Sequence, residues 1–226
     1  MLFNILRGQS GSEIIISLFA MVFVVFCTLP IHEYAHALVA TKLGDQTARL
    51  SGRLTINPLA HLDIIGSLMI LFVGFGYAKP VPVNPRNFKN PKVGMALTAI
   101  AGPIANIIMA IIFILIKDIV MLVPVKSQFA YVMLSAVYTF LYFAAYINIG
   151  LAVFNLLPIP PLDGSRILQL LIPDKYYFKF AQYERYIVIV VFVLIIVGVL
   201  DKPLTFLRDG LFAALEFLIG LPFPKG

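Results

Sequence analysis

The sequence is poor in charge. Only 12% of its 226 residues are Asp, Glu, Lys or Arg, whereas 61% are hydrophobic and the mean hydropathy is +0.97. Soluble domains carry about 25% charged residues, so this chain has too little polar surface to face water all round, and a soluble enzyme is excluded. Disorder is excluded as well, because 19 Phe and 10 Tyr cannot stay solvated in an open chain. There is one cysteine, Cys27, inside an apolar run. No intrachain disulfide can form, and the thiol reads as packed in a helix. The chain also lacks internal repeats, inverted halves and low-complexity linkers. What it has in abundance is long apolar runs, and little length is left over for an extramembrane domain. The expectation is one multi-pass membrane domain over 1–226, an all-α polytopic helical bundle in a lipid bilayer.

The net charge of +6 does not require nucleic acid. In a membrane protein it reads as Lys and Arg crowding the cytoplasmic loops, so no nucleic-acid partner is expected. Arg7 followed by apolar residues from Ile14 resembles a secretory signal superficially. The run is too long for one and has no small-x-small cleavage site, so it reads as a retained helix.

About five stretches are apolar and long enough to span, or nearly so: Ile14 to Ala40, Val93 to Ile116, Phe129 to Phe154, Tyr186 to Leu200 and Leu204 to Ile219. The core lies at about 14–172, with accessory C-terminal helices at about 184–220. A further apolar segment, 64–78, falls short of the roughly 17 residues a span needs and contains Gly66, Gly74 and Gly76. Gly44, just past Lys42, suits a helix C-terminus. The segment KPVPVNPRNFKNPK, 79–92, has four prolines and cannot be helical; it reads as an extended, β-like edge or a plain loop.

Ionisable residues inside apolar helices cost about 2.5–3.5 kcal/mol each on the insertion scale, so they signal function. The first helix holds three: His32, Glu33 and His36, in LPIHEYAHALVA. Residues four apart on a helix lie about 40° apart around the axis and about 6 Å along it. His32 and His36 can therefore take neighbouring corners of one tetrahedral zinc ion, and Glu33 lies close enough to accept a proton from its water. A third protein ligand is needed, with the fourth corner left for water. Most other acidic residues flank apolar segments or sit in loops. Asp163 differs, because it lies in the proline-stiffened apolar run NLLPIPPLDG, 155–164. Unwound backbone at membrane depth is tolerated only when buried in protein or lining a cavity. The competing reading is an ordinary helix-ending loop with a turn aspartate. Gly164 lets the backbone turn sharply beside it.

HEYAH in a hydrophobic helix, AGPIAN opening a later one, and FNLLPIPPLDGSRIL after a third resemble, in that order, the site-2 protease family of intramembrane zinc metalloproteases. The resemblance covers about 20–168 and implies a minimal form without PDZ or CBS domains. It implies one zinc held by His32, His36, Asp163 and a water, with Glu33 as catalytic base. Its substrates would be single-pass membrane proteins or their trimmed remnants, cut in regulated intramembrane proteolysis. Asn155, Asn106 and His61 are candidate oxyanion or supporting groups. The resemblance favours Asn155 at the active site, and the competing reading of both amides is interhelical packing. His61 in NPLAHLD reads as a supporting partner, a gate, or a plain interfacial histidine.

Parity and charge agree on topology. If 64–78 spanned, Asp163 would emerge on the face where the first helix starts, away from the histidines. If it re-enters or lies in the interface, Asp163 and the histidines share a side. Twelve of the 17 Lys and Arg then also share that side, a positive-inside bias that puts the N-terminus outside and the zinc site toward the cytoplasm. The plasma membrane is the expected location. A metal-ion transporter is the main alternative function, but it shows neither repeats nor a use for Glu33. A non-catalytic membrane scaffold is the other, and it would not need both Glu33 and Asp163. Oligomeric state is left open.

Overall fold

The computed structural model describes residues 10–63, 66, 69, 79–173 and 182–219. Helix α1 (Gly11–Lys42) begins at Ser10 with a reciprocal cap: the Glu13 amide donates to the Ser10 hydroxyl at 3.4 Å, and the Ser10 amide to the Glu13 carboxylate at 2.7 Å. One wide π turn, Val24–Thr28, interrupts it, and there the Thr28 hydroxyl donates to the Val24 carbonyl at 3.0 Å. The helix gives way at Gly44, whose φ of +109° is the left-handed conformation expected from the sequence. Two short helices follow, α2 (Thr47–Leu50) and α3 (Pro58–His61). Next come α4 (Pro91–Met121), capped by Asn90, and α5 (Gln128–Asn155), capped by Ser127. The chain continues through α6 (Asp163–Leu171), α7 (Glu184–Ile196) and α8 (Asp201–Ile219).

Helix α4 is the axis of the bundle, with α1, α5 and α6 packed on it; α1 and α8 also pack on α5. Lipid offers no hydrophobic drive between helices, so close approach depends on small residues. Ala110, Ala144 and Ala145 supply it here, letting Ile114, Ile149 and Val24 interlock with Phe113 and Phe212. Phe23 braces the seam edge-on against Phe113 and Phe140. Ile15, Phe19 and Phe26 of α1 and Phe129 of α5 point outward, as lipid-facing side chains do. Cys27 also lies on the exposed face of α1 rather than packed inside, because Val24, Val25 and Thr28 occupy the inward stripe at that level.

Among the described residues, three helices are long and apolar enough to cross a membrane: Gly11–Lys42, Pro91–Met121 and Gln128–Asn155. About five were expected. The 13 residues of α7 rise only about 20 Å against a hydrocarbon core of about 30 Å. Helix α8 is long enough, but it carries Asp201, Lys202, Arg208, Asp209 and Glu216 among its 19 residues. The expected β-like stretch 79–92 makes no strand among the described residues: 79–84 are irregular, Pro85–Asn87 is a 3-10 turn, and Pro91 opens α4. Its prolines lack the amide donors that a ladder needs. Of the segment 64–78, only Gly66 and Met69 lie within the described residues.

The loops around that segment are tied together. The Lys79 amide donates to the His61 carbonyl at 2.7 Å. Asp45, fully buried, accepts the Thr47 amide at 3.1 Å and hydroxyl at 2.5 Å, the Asn84 amide at 2.7 Å and the Asn87 side chain at 2.6 Å. One carboxylate thus pins residues 84–87 to the end of α1.

Candidate metal centre

Helix α1 presents His32 and His36 one turn apart, and α6 presents Asp163 from its first turn. The two Nε2 atoms lie 3.0 Å apart, and Asp163 Oδ2 is 3.4 Å from each. His32, Glu33 and His36 are no more than 8% exposed, and the Asp163 side chain is 22% exposed. Three donors held at about 2.0–2.2 Å by a tetrahedral ion stand roughly 3.3–3.5 Å apart. The observed triangle has close to that size. Among the described residues these three form the one cluster of histidine, cysteine or carboxylate donors able to hold a metal.

Hydrogen bonding points the same way. His36 Nδ1 is 2.7 Å from the Thr98 carbonyl of α4, an oxygen that can only accept, so Nδ1 donates. A neutral His36 then turns the lone pair of Nε2 toward the other two donors. Asp163 Oδ2 is buried without a hydrogen-bond donor among the described residues. Lone pairs converging on a carboxylate oxygen repel one another unless a cation lies between them. The donor set fits zinc.

Two glycines make the convergence possible. A Cβ on Gly102 of α4 would stand 2.4 Å from His36 Nε2 and 2.5 Å from His32 Cε1, so the bare backbone of α4 forms one wall of the site. Gly164 does not sit at a sharp turn, as its sequence context suggested. It is helical and has no positive φ, and a Cβ there would lie 2.2 and 2.4 Å from the Leu156 and Leu157 carbonyl oxygens. Its missing side chain lets the start of α6 fold back onto the end of α5, which is what carries Asp163 to the histidines.

The supporting candidates are placed differently. Glu33 is buried beside the two histidines on α1. Asn155 donates to its own-helix Leu151 carbonyl at 3.0 Å. Asn106 is fully buried, and neither atom of its amide has a hydrogen-bond partner among the described residues. His61 is not among the converging donors; it is buried in the loop with Nε2 2.6 Å from the Thr55 carbonyl. Thr98 was missed from the sequence, because it acts through a backbone carbonyl and such a group leaves no signature in residue type.

The chain is similar to known zinc metalloproteases. A family model described as peptidase family M50 matches residues 116–198, a stretch that includes Asp163. The chain is 43% identical over 182 residues to "Putative zinc metalloprotease YwhC" of Bacillus subtilis, covering 78% of this chain and 80% of that protein. It is 28% identical over 151 residues to "Zinc metalloprotease MJ0392" of Methanocaldococcus jannaschii, covering 67% of this chain and 34% of the archaeal protein. It is 27% identical over 147 residues to "Putative zinc metalloprotease Rip2" of Mycolicibacterium smegmatis, covering 63% and 53%. No solved structure matches it at comparable significance. With two histidines of an HExxH helix and an aspartate converging in an apolar bundle, the chain belongs to peptidase family M50, the site-2 proteases, and is an intramembrane zinc metallopeptidase.

Proposed function

We propose that His32, His36 and Asp163 hold the catalytic zinc and that Glu33 is the general base for hydrolysis of peptide bonds in or beside transmembrane segments. The observation that carries this reading is the donor triangle of 3.0, 3.4 and 3.4 Å next to a buried glutamate. When bound, zinc supplies Lewis acidity to water and to the substrate carbonyl. Glu33 takes one proton from the attacking water as the new C–O bond forms. It returns that proton to the amide nitrogen as the C–N bond breaks, leaving a carboxylic acid and an amine, between which the second water proton then passes to give carboxylate and ammonium. Thr98 and the wall at Gly102 hold His36 in one orientation throughout. Asn155, eight residues before Asp163, is the proposed donor to the substrate carbonyl once its amide rotates away from Leu151.

The substrates are single-pass membrane proteins or their trimmed remnants, as in regulated intramembrane proteolysis, and they must unwind locally to expose a scissile carbonyl. Segment 64–78 re-enters or lies in the interface. The hydrogen bond between His61 and Lys79 supports this, since it joins the two ends of the segment on one side. The zinc site then faces the cytoplasm, the N-terminus lies outside, and α7 and α8 complete a bundle of about five crossings in the plasma membrane. Single cysteines at 50 and 88 in a Cys27→Ser background label from the same side in this topology; labelling from opposite sides refutes it.

Metal analysis tests the ligand assignment. Wild type carries about one zinc per chain, and Asp163→Asn or His36→Ala lowers that sharply. Full occupancy in both variants would contradict it.

A further inference from the structure

Each zinc-binding histidine needs its second ring nitrogen held, because that bond fixes the tautomer and the angle of the ring. His36 has such a partner in the Thr98 carbonyl at 2.7 Å. His32 does not: its Nδ1 is buried and has no hydrogen-bond partner among the described residues. Asn106, on the helix that holds His36, is also fully buried with both amide atoms unpartnered. A buried amide left unpaired is costly, and lipid offers it no alternative partner.

The register of α1 against α4 brings these orphans together. His36 lies opposite Thr98, and His32 lies opposite Gly102, against which its Cε1 packs. The helices are antiparallel here, so one turn further Thr28 comes opposite Asn106. Thr28 is fully buried, and its hydroxyl proton is committed to the Val24 carbonyl across the π turn, which leaves its lone pairs free. Residues four apart on a helix are about 5–6 Å apart at Cβ, and one bridging water spans roughly 5.5 Å between two polar atoms. Three buried polar partners meet the usual number for holding such a water.

We propose that Asn106 is the positioning residue of His32, acting through one buried water that it shares with Thr28 and His32 Nδ1. The inference rests on the metal assignment above and deepens it. The water accepts the Nδ1 proton of His32 and donates to Asn106 Oδ1 and the Thr28 hydroxyl. His32 is thereby locked with Nε2 toward the metal, as the Thr98 carbonyl locks His36. Asn106 touches neither substrate nor reacting atoms in this role.

Metal affinity separates this from a packing role. Cobalt(II) or zinc is titrated into the purified full chain in detergent against a chromophoric chelator, and the apo proteins are melted in parallel. Asn106→Leu fills similar volume without polar atoms, and its affinity is expected to fall about 10–100-fold while apo stability holds or rises. Asn106→Asp keeps an acceptor and is expected to bind within about threefold of wild type, or tighter. Thr28→Val, nearly isosteric, removes one corner and weakens binding about 3–10-fold; it carries the test if Asn106→Leu does not fold. Unchanged affinity in Asn106→Leu and Thr28→Val overturns the proposal, whether the variants lose thermal stability (a packing amide) or only cleavage (an oxyanion donor). If wild type and Asp163→Asn bind the metal equally weakly, the ligand assignment itself has failed, and this inference falls with it.

Discussion

Gly102→Ala adds one methyl group where α4 faces the two imidazoles, and its effect can be worked out from the distances. The new Cβ would meet His36 Nε2 at 2.4 Å and His32 Cε1 and His36 Cε1 at 2.5 Å, whereas ordinary contact begins near 3.4 Å. About 1 Å of movement is needed. Neither ring can yield freely: His36 is anchored to the Thr98 carbonyl, and both are at least nine-tenths buried. Overpacking of this kind costs about 1–3 kcal/mol, partly offset by a helix-propensity gain of up to about 1 kcal/mol for Gly→Ala. The fold therefore survives with a small net loss. The site does not, because metal donors tolerate only about 0.2 Å of displacement. A zinc affinity loss of at least about 100-fold, or about 2.7 kcal/mol, is expected. Gly210→Ala is the matched control, since a Cβ there meets nothing within 4 Å. Zinc competition titration and thermal unfolding of both variants make the test. A Gly102→Ala protein that binds zinc and cleaves like wild type would refute the geometry.

Gly164→Ala would place a Cβ 2.2 Å from the Leu156 carbonyl oxygen, which is backbone and cannot swing aside; α6 must move, and zinc stoichiometry should drop well below that of wild type. Asp45 governs acid stability: burial pushes its carboxyl up, but the hydrogen bonds from Thr47, Asn87 and Asn84 outweigh that and hold it below the usual carboxylate range. Its stabilisation is full above the ordinary carboxylate pKa and is lost as pH falls through the depressed one. Asp45→Asn should cost about 2–4 kcal/mol near neutrality and flatten the acid limb of a melting-temperature profile from about pH 5 downward. Lys117, 3% exposed within α4, pairs with Glu216 of α8 and lies 3.4 Å from Asp118. Glu216→Ala should destabilise by about 1–3 kcal/mol and loosen α8 to limited proteolysis, and adding Lys117→Met should restore most of that loss.

The site was more legible than the scaffold that holds it. His32, Glu33 and His36 stand out because ionisable side chains are costly in an apolar helix, and Asp163 because it is the lone charge of a proline-stiffened run. Their meeting in space is the expectation if the ends of 64–78 share a side; apart from Gly66 and Met69 that segment lies outside the described residues, and the bond between the His61 carbonyl and the Lys79 amide is what joins the residues flanking it. That Gly102 walls both imidazoles depends on the register of α1 on α4, which local sequence does not show. Asp45, Lys117 and Glu216 read as flanking charges, because tertiary partners up to 99 residues away are invisible to local pattern. Leu204 to Ile219 reads as a short apolar stretch, and what the sequence does not show is that its charges are met by contacts such as Arg208 over the Tyr146 ring at 4.0 Å and the Tyr146 hydroxyl on Asp209 at 2.7 Å. Thr98 could not have been found, since any residue offers the same carbonyl.

The central claim is that a zinc held by His32, His36 and Asp163 works with Glu33 as base. It is tested most directly by measuring bound zinc and cleavage of a panel of single-span substrates in liposomes, side by side, for wild type and Glu33→Gln. The account predicts equal zinc in both and cleavage by the wild type alone, lower by orders of magnitude in the variant. Cleavage by Glu33→Gln at the wild-type rate, or no zinc in either protein, would contradict it.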